Sequence, residues 1–181
     1  MPVAEKTATE TRIAEQLLPE FDLEFGNTRK FLALIPDDKL AYKPHPKSSE
    51  LGRLAWHLAN FGDWCKETLK KDVLTFTDAD GEKMKAEAEG QTREKMLARF
   101  DADVKEARAA LEATPDEAWA THWKFEWNGV PMIDEPRLDV YRKWVVNHMI
   151  HHRAQLGVYL RLNDIAIPGC YGPSADDNPG A

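Results

Sequence analysis

Three histidines lie within five residues in the stretch NHMIHHRAQLGVYLRL, at residues 147–162. His148 and His152 are four positions apart, and on a helix this spacing places two side chains on one face with their Cβ atoms roughly 5–6 Å apart. Two imidazoles so placed can bind a single divalent ion at the roughly 2.0–2.1 Å distance that is typical of zinc. The spacing therefore indicates a metal site.

His57 supplies the third candidate ligand. It lies between Leu54 and Phe61 in the apolar stripe of an earlier predicted helix, and a helical bundle brings two such stripes face to face. Three imidazoles leave coordination positions open for water or a substrate atom, as in reactive metal sites. The alternative is a set of core histidines satisfied by ordinary hydrogen bonds. We favour the metal site because an unpaired buried polar group costs about 1–3 kcal/mol.

The other histidines are weaker candidates. His151 points about a quarter-turn away from the predicted inward face, so we expect it on the flank of the site. A helix rotated from this prediction would let it replace His148 or His152. His45 lies in the loop KPHPK and His122 in a tryptophan-rich loop, and both are expected to be exposed or at an interface.

Both cysteines are predicted to be free thiols, because Cys65 and Cys170 are far apart and form no CxxC motif. Cys65 follows His57 by about 12 Å of helix axis, too far to bind the same ion. No HExxH motif occurs, so the glutamate base of zinc proteases is missing. The sequence also has no glycine-rich phosphate loop and no nucleophile elbow. A packing or surface role is predicted for the polar residues near the candidate ligands, which could otherwise orient them: Asn60, Asp63, Tyr141 and Gln155.

Four segments with helical periodicity must position these histidines, at about residues 9–35, 49–70, 92–113 and 137–162. In each of them apolar residues recur at steps of three and four. The fourth begins just after Pro136, a favourable start for a helix. Its predicted inward stripe consists of Tyr141, Trp144, Val145, His148, His152, Leu156 and Tyr159.

The connections are less regular. The segment TDADGEKMKAEAEG is polar with some helical propensity, and the loop THWKFEWNGVPMIDEPR has turn residues at Asn128 and Gly129. This loop predicts either a small hairpin or an irregular cover over one end of the bundle. The tail IPGCYGPSADDNPGA is rich in proline and glycine and is predicted to be irregular. Its apolar residues Ile165, Ile167 and Tyr171 could attach it to the helices.

Length and composition limit the remaining possibilities. The chain has 181 residues without an evident linker, which predicts a single domain over 1–181. Its formal charge of −7 and its scattered basic residues argue against a nucleic-acid surface. The first ten residues lack the pattern of a secretory signal, and no apolar stretch approaches the roughly 20 residues that a bilayer requires. We therefore expect no membrane partner and a cytoplasmic protein.

Three pieces of the sequence resemble the DinB-like (DinB/YfiT-like) family of metal-binding helical bundles: KPHPKSSELGRLAWHLANF, NHMIHHRAQLGVYLRL and IPGCYGPSAD. The resemblance extends from the first predicted helix to about Asp177. It names His57, His148 and His152 as the ligands of a divalent ion. Ala154 is a small departure, because many relatives read HHRGQ where this chain has HHRAQ.

Together with the four predicted helices, the resemblance implies an all-α, antiparallel four-helix bundle with irregular loops. Relatives include S-transferases and an isomerase that depend on a low-molecular-weight bacterial thiol. The resemblance thus predicts a metal-dependent S-transferase of unknown substrate. Its partners would be such a thiol and a small electrophile. Its ion would be zinc, with nickel or iron as alternatives, and the protein would be a homodimer. Two other hypotheses stay open, a non-catalytic metal-binding stress protein and a dimeric interaction module whose histidines bind no metal.

Overall fold

The computed structural model describes residues 11–177, and most of these residues are helical. The first two residues of the first predicted helix, and the two ends of the predicted domain, lie outside the described residues. Short 3₁₀ helices occur at Asp37–Lys39 and Asp116–Ala120. The α-helices of the described part are α1 Ile13–Leu32, α2 Leu51–Ala59, α3 Phe61–Lys70, α4 Asp78–Ala88, α5 Arg93–Ala113, α6 Arg137–Val140 and α7 His148–Arg161.

The first and third predicted helices correspond to α1 and α5. The apolar stripe of α1 is buried at Leu17, Phe21 and Phe25, because residues three and four apart share one face of a helix. Helix α5 begins after Thr92, whose hydroxyl accepts a 3.3 Å hydrogen bond from the backbone N–H of Lys95. This contact satisfies one of the unpaired amides at the helix start.

The second predicted helix, over 49–70, is in fact two helices that break at Asn60. The side-chain amide of Asn60 donates a 2.6 Å hydrogen bond to the carbonyl of Trp56, and such local bonds compete with the regular helical ladder. After the break, Gly62 lies against the backbone of α5. A Cβ atom at this position would lie 2.7 Å from the backbone nitrogen of Val104, so the close approach of α3 to α5 depends on glycine.

The all-α prediction omits a small sheet, whose three strands are β1 Val73–Phe76, β2 His122–Trp127 and β3 Val130–Pro136. Strand β2 pairs parallel with β1 and antiparallel with β3. Asn128 and Gly129 connect β2 to β3 with φ of 49° and 76°, the left-handed conformation of tight hairpin turns. The hairpin alternative is therefore confirmed, whereas β1 was not predicted.

Helix α4 occupies the segment that was predicted as a polar connection. Thr77 and Asp80 form a reciprocal capping box at its start. The hairpin then holds this end of the helix, because Trp127 Nε1 donates a 2.8 Å hydrogen bond to Asp78 and the Asp78 amide donates to the Asn128 side chain. No residue of α4 is buried, so the sheet and these bonds fix its position.

The last predicted helix, over 137–162, is continuous but includes a π-helical segment at Tyr141–Asn147, between α6 and α7. A π-helical turn is wider than an α-helical turn and shifts the faces of the residues around it. Trp144, predicted to point inward, is for this reason 38% exposed, while Val145 and Val146 are fully buried. The segment ends immediately before His148.

The tail is attached to the helices, as predicted. Ile165 and Ile167 pack against the helical core, and the Tyr171 hydroxyl donates a 2.8 Å hydrogen bond to the carboxylate of Glu24. The same carboxylate forms a 2.7 Å ion pair with Arg153, and both of these side chains are almost completely buried. One buried ion pair therefore joins α1, α7 and the tail.

Candidate metal centre

His57, His148 and His152 come together at one point between α2 and α7. Each offers a ring nitrogen, and these three atoms lie within 4.8 Å of one another. The ring centroids are 5.2 Å apart for His57 and His148, 4.7 Å for His57 and His152, and 4.6 Å for His148 and His152. The structure thus brings together the three side chains that the sequence singled out. Their role as metal ligands stays a prediction.

The helices set this arrangement in different ways. His148 and His152 share a face of α7 one turn apart. His57 is on the last turn of α2 and was expected within the packing stripe, but it lies at the edge of that stripe and is exposed to solvent. Phe61, the first residue of α3, packs edge-on against His57 and His148, with ring centroids 5.1 Å from each. The phenyl ring therefore closes the apolar side of the cluster.

Gln155 orients the His152 ring. Its side-chain oxygen lies 2.7 Å from His152 Nδ1, and an amide oxygen at this distance requires that Nδ1 carry the proton. The other nitrogen, Nε2, then has a free lone pair, and it lies 2.8 Å from Nε2 of His148. Hydrogen bonds of this kind commonly fix the tautomer of metal-binding histidines. From the sequence a packing or surface role was favoured for Gln155, and orientation of a ligand was the alternative.

The surroundings keep the three imidazoles neutral. Desolvation by the packed helices, the two neighbouring imidazoles and Arg53 lower the pKa of His57 to about 4. Desolvation also lowers the pKa values of His148 and His152, and nearby histidine rings lower them further. Only a neutral imidazole has a lone pair for a cation, so at neutral pH the cluster is in the protonation state that binds metal.

The donor set fits a divalent ion. Three neutral nitrogen donors converge from two helices, and one of them is held by a partner outside the cluster. Zinc, nickel and iron all accept imidazole ligands. With three protein ligands, coordination positions remain for water or substrate. The cluster can therefore hold an ion that stays accessible to a small molecule.

The cluster opens into a groove of about 620 Å³. One wall is the face of α2 and α3, and the opposite wall is α4 with the end of the sheet. The aromatic side chains of the walls are Trp56, Phe61, Trp64, Phe76 and Trp127. A groove with His57 and His148 in its wall and aromatic side chains beyond them can hold a small organic molecule next to the centre.

The remaining candidates lie elsewhere. His151 is exposed, with its ring 5.1 Å from that of His152, which fits the predicted flanking position. His122 is exposed on β2 and bonds to Asp134 at 2.7 Å. His45 is exposed in its loop. Cys65 is fully buried, and burial raises the pKa of its thiol, so it offers no thiolate to the centre.

Sequence reasoning did not find the groove. The α2 residues that line it, at positions 53, 56 and 57, share one face of the helix, and Asn60 follows at the end of α2. This spacing of three and four is visible in the sequence and could have identified Arg53 and Trp56 as neighbours of His57. The opposite wall gave no such signal, because α4 was not expected to be an ordered helix.

In the part of the chain that the structure describes, no helix is long and apolar enough to cross a membrane.

Comparison with known proteins gives consistent results. The family model described as DinB family matches residues 5–179. The uncharacterized protein YrdA of Bacillus subtilis (strain 168) is 26% identical over 168 residues, and the match covers 90% of each chain. The crystal structure of a DinB-like protein from Bacillus cereus ATCC 10987 has a TM-score of 0.64 and 22% identity, over 87% of this chain and 97% of that one. For the DinB-like protein YjoA of Bacillus subtilis the TM-score is 0.63 at 17% identity, over 85% and 96%.

Proposed function

Because this chain belongs to the DinB family, we propose that it is a metal-dependent S-transferase that joins a low-molecular-weight thiol to a small electrophile. The observation that carries this proposal is the grouping of three imidazole nitrogens within 4.8 Å of one another at the wall of an open groove. A purely structural metal site has four protein ligands and no access. A site with three protein ligands beside an open groove instead favours a reaction on a bound small molecule.

His57, His148 and His152 would hold the ion, with zinc as the first candidate and nickel or iron as alternatives. When bound, the ion supplies Lewis acidity, which favours the thiolate form of a thiol at neutral pH. Gln155 keeps the proton on Nδ1 of His152 and so keeps its Nε2 lone pair directed at the centre. Phe61 excludes water from one side of the cluster.

The transfer itself is a nucleophilic substitution. The thiolate sulfur attacks an electrophilic carbon of the second substrate and forms a new S–C bond. The bond between this carbon and the leaving group breaks, and the leaving group takes its electron pair, while the thiol proton passes to solvent. The aromatic walls of the groove, above all Trp56 and Trp64, hold the electrophile beside the sulfur.

Turnover tests this function directly. The protein, purified without a histidine tag and loaded with zinc, would be incubated with a panel of bacterial thiols and alkyl or aryl halides, and the thioether product measured. We expect product with the wild-type protein and none above background with His148→Ala. His122→Ala is the matched control, because His122 is exposed and does not line the groove. Absence of product across the panel would count against an S-transferase.

One observation favours a second candidate, a non-catalytic metal-binding protein. The three rings come from two separate helices, so a bound ion would tie α2 to α7 even if no substrate ever entered the groove. This function predicts that chelation lowers the melting temperature substantially while no thiol or electrophile is consumed. The turnover panel distinguishes the two.

A further inference from the structure

Arg53 differs from the other arginines of the described chain. Each of the others donates a hydrogen bond to a carbonyl or pairs with a carboxylate, on the surface as well as in the core. For Arg53, residues 11–177 provide neither a hydrogen-bond partner nor an ion pair. Guanidinium groups are strong, directional donors that match a carboxylate with two parallel hydrogen bonds. An unpaired one in a groove is therefore available to a ligand.

The position of Arg53 relates it to the metal centre. It precedes His57 by one helical turn on α2, and both residues line the same groove. Residues four apart on a helix have Cβ atoms roughly 5–6 Å from each other. A small molecule that reaches the histidines passes within reach of this guanidinium.

The acidic side chains around the groove do not compensate Arg53, because they pair with other groups. Asp63 contacts Lys66 at 2.8 Å and Glu67 contacts Lys71. On the opposite wall, Asp80 accepts the hydrogen bonds of the capping box, and Glu87 lies 4.0 Å from Lys83. Arg53 is thus left as an uncompensated cation next to the cluster, in a chain with a formal charge of −7.

We propose that Arg53 binds a carboxylate of the thiol substrate, so that the thiol is held both at the metal centre by its sulfur and on α2 by its anionic group. This inference rests on the proposed thiol transfer and deepens it, since it gives the thiol a chemical class. A neutral thiol of the same length makes only the first of these contacts. A thiol with a carboxylate within a few bonds of the sulfur makes both.

Binding of small thiols tests this inference. The probes are mercaptoacetate, β-mercaptopropionate and γ-mercaptobutyrate, each compared with the mercapto alcohol of equal carbon number. Their dissociation constants would be measured by titration calorimetry with the metal-loaded protein. Thiolate-to-metal absorption of the cobalt-loaded protein would report binding of the sulfur. We expect at least one carboxylate to bind roughly tenfold more tightly than its alcohol, as for a hydrogen bond to a charged group.

Variants separate the two contacts. Arg53→Gln should remove the preference for the carboxylate while the alcohols bind as before, and Arg53→Lys should keep part of it. Arg29→Gln is the control for the loss of one positive charge, because Arg29 pairs with Asp101 and does not line the groove. Melting curves would verify that each variant is folded.

Each outcome bears on a different claim. Equal affinity of carboxylates and alcohols in the wild-type protein, or a preference that survives in Arg53→Gln, overturns the role of Arg53 and leaves thiol binding intact. If no thiol of either kind binds or changes the cobalt spectrum, the proposed transferase function fails, and the inference on Arg53 fails with it.

Discussion

At the scale of single residues, the contact between Gln155 and His152 determines what the cluster can bind. Neutral imidazole has one nitrogen with a proton and one with a lone pair available to a metal. The 2.7 Å contact with the side-chain oxygen of Gln155 places the proton on Nδ1 of His152 and leaves the lone pair on Nε2. The second nitrogen then faces His148 and His57. A partner one layer away from the centre thus selects the tautomer that a metal requires.

Replacing Gln155 should weaken metal binding without changing any ligand. In Gln155→Leu, Nδ1 of His152 loses its acceptor, and both the tautomer and the ring orientation are released. We expect zinc affinity to fall about 10–100-fold, the usual effect of removing such a partner. Competition with a chromophoric chelator measures this. Gln155→Glu keeps an acceptor at the same place and should bind zinc nearly as well as the wild-type protein; equal affinity of the leucine variant would contradict the role of Gln155.

The lowered histidine pKa values predict how metal retention depends on pH. A free histidine takes up a proton below about pH 6.5, whereas His57 does so only near a pKa of about 4, and the pKa values of His148 and His152 are lowered too. Protons compete with the ion for the same lone pairs. Zinc should therefore stay bound as pH falls from 7 to about 6 and be lost on the way to about 4. Retention after dialysis, measured by elemental analysis, checks this, and full occupancy at pH 4 would contradict it.

At the scale of elements, the packing of α3 against α5 depends on one position without a side chain. Gly62 approaches the backbone of Asp103 and Val104 so closely that a Cβ atom would overlap with it. Helix α3 follows α2 after the break at Asn60, and α2 holds His57 and Arg53. The contact at Gly62 therefore also helps to position the groove wall.

A pair of identical substitutions tests this packing. Gly62→Ala should lower the free energy of unfolding by about 1–3 kcal/mol, the cost of overpacking, which outweighs the helix propensity that alanine adds. Gly26→Ala in α1 adds the same methyl group where no atom lies within 4 Å. It should raise the free energy of unfolding by up to about 1 kcal/mol. Urea unfolding measures both, and a shared sign would contradict the argument.

Local patterns account for what could be predicted at this scale. Helix α5 begins and ends almost where periodicity and Thr92 indicated, and the spacing of His148 and His152 is itself a local feature. Strand β1 has only four residues, and its partner β2 lies about 50 residues later in the chain. No local signal describes such a pairing. The π-helical segment Tyr141–Asn147 depends on packing in the same way, so a fixed helical period misplaced Trp144.

At the scale of the whole molecule, the centre joins parts that are distant in sequence. The candidate ligands come from α2 and α7, and the groove adds α3, α4 and the sheet. The buried ion pair of Arg153 and Glu24, with Tyr171, holds α7 to α1 and to the tail. An ion in this position would bind the folded chain, in which the three rings meet. It would not bind the unfolded chain in the same way, because the three rings are then apart.

Metal binding should therefore raise the thermal stability. A ligand that binds only the folded state at about 1,000 times its dissociation constant adds about 4 kcal/mol. For a chain of this size, each kcal/mol raises the melting temperature by about 2–4 °C, which gives about 8–16 °C. Melting curves of the zinc-loaded and chelator-treated protein measure the shift. His57→Ala should abolish it, and an unchanged melting temperature on chelation would contradict a centre shared by two helices.

The distance in sequence between the candidate ligands also has a consequence for biosynthesis. His57 leaves the ribosome about 90 residues before His148 does, which corresponds to roughly 5–20 s of translation. During this interval the nascent chain has only one of the three imidazoles, so the three-histidine cluster cannot form. Binding of an ion at the three histidines would therefore have to follow the synthesis of α7, and the ion acquired would be one that is available after that point.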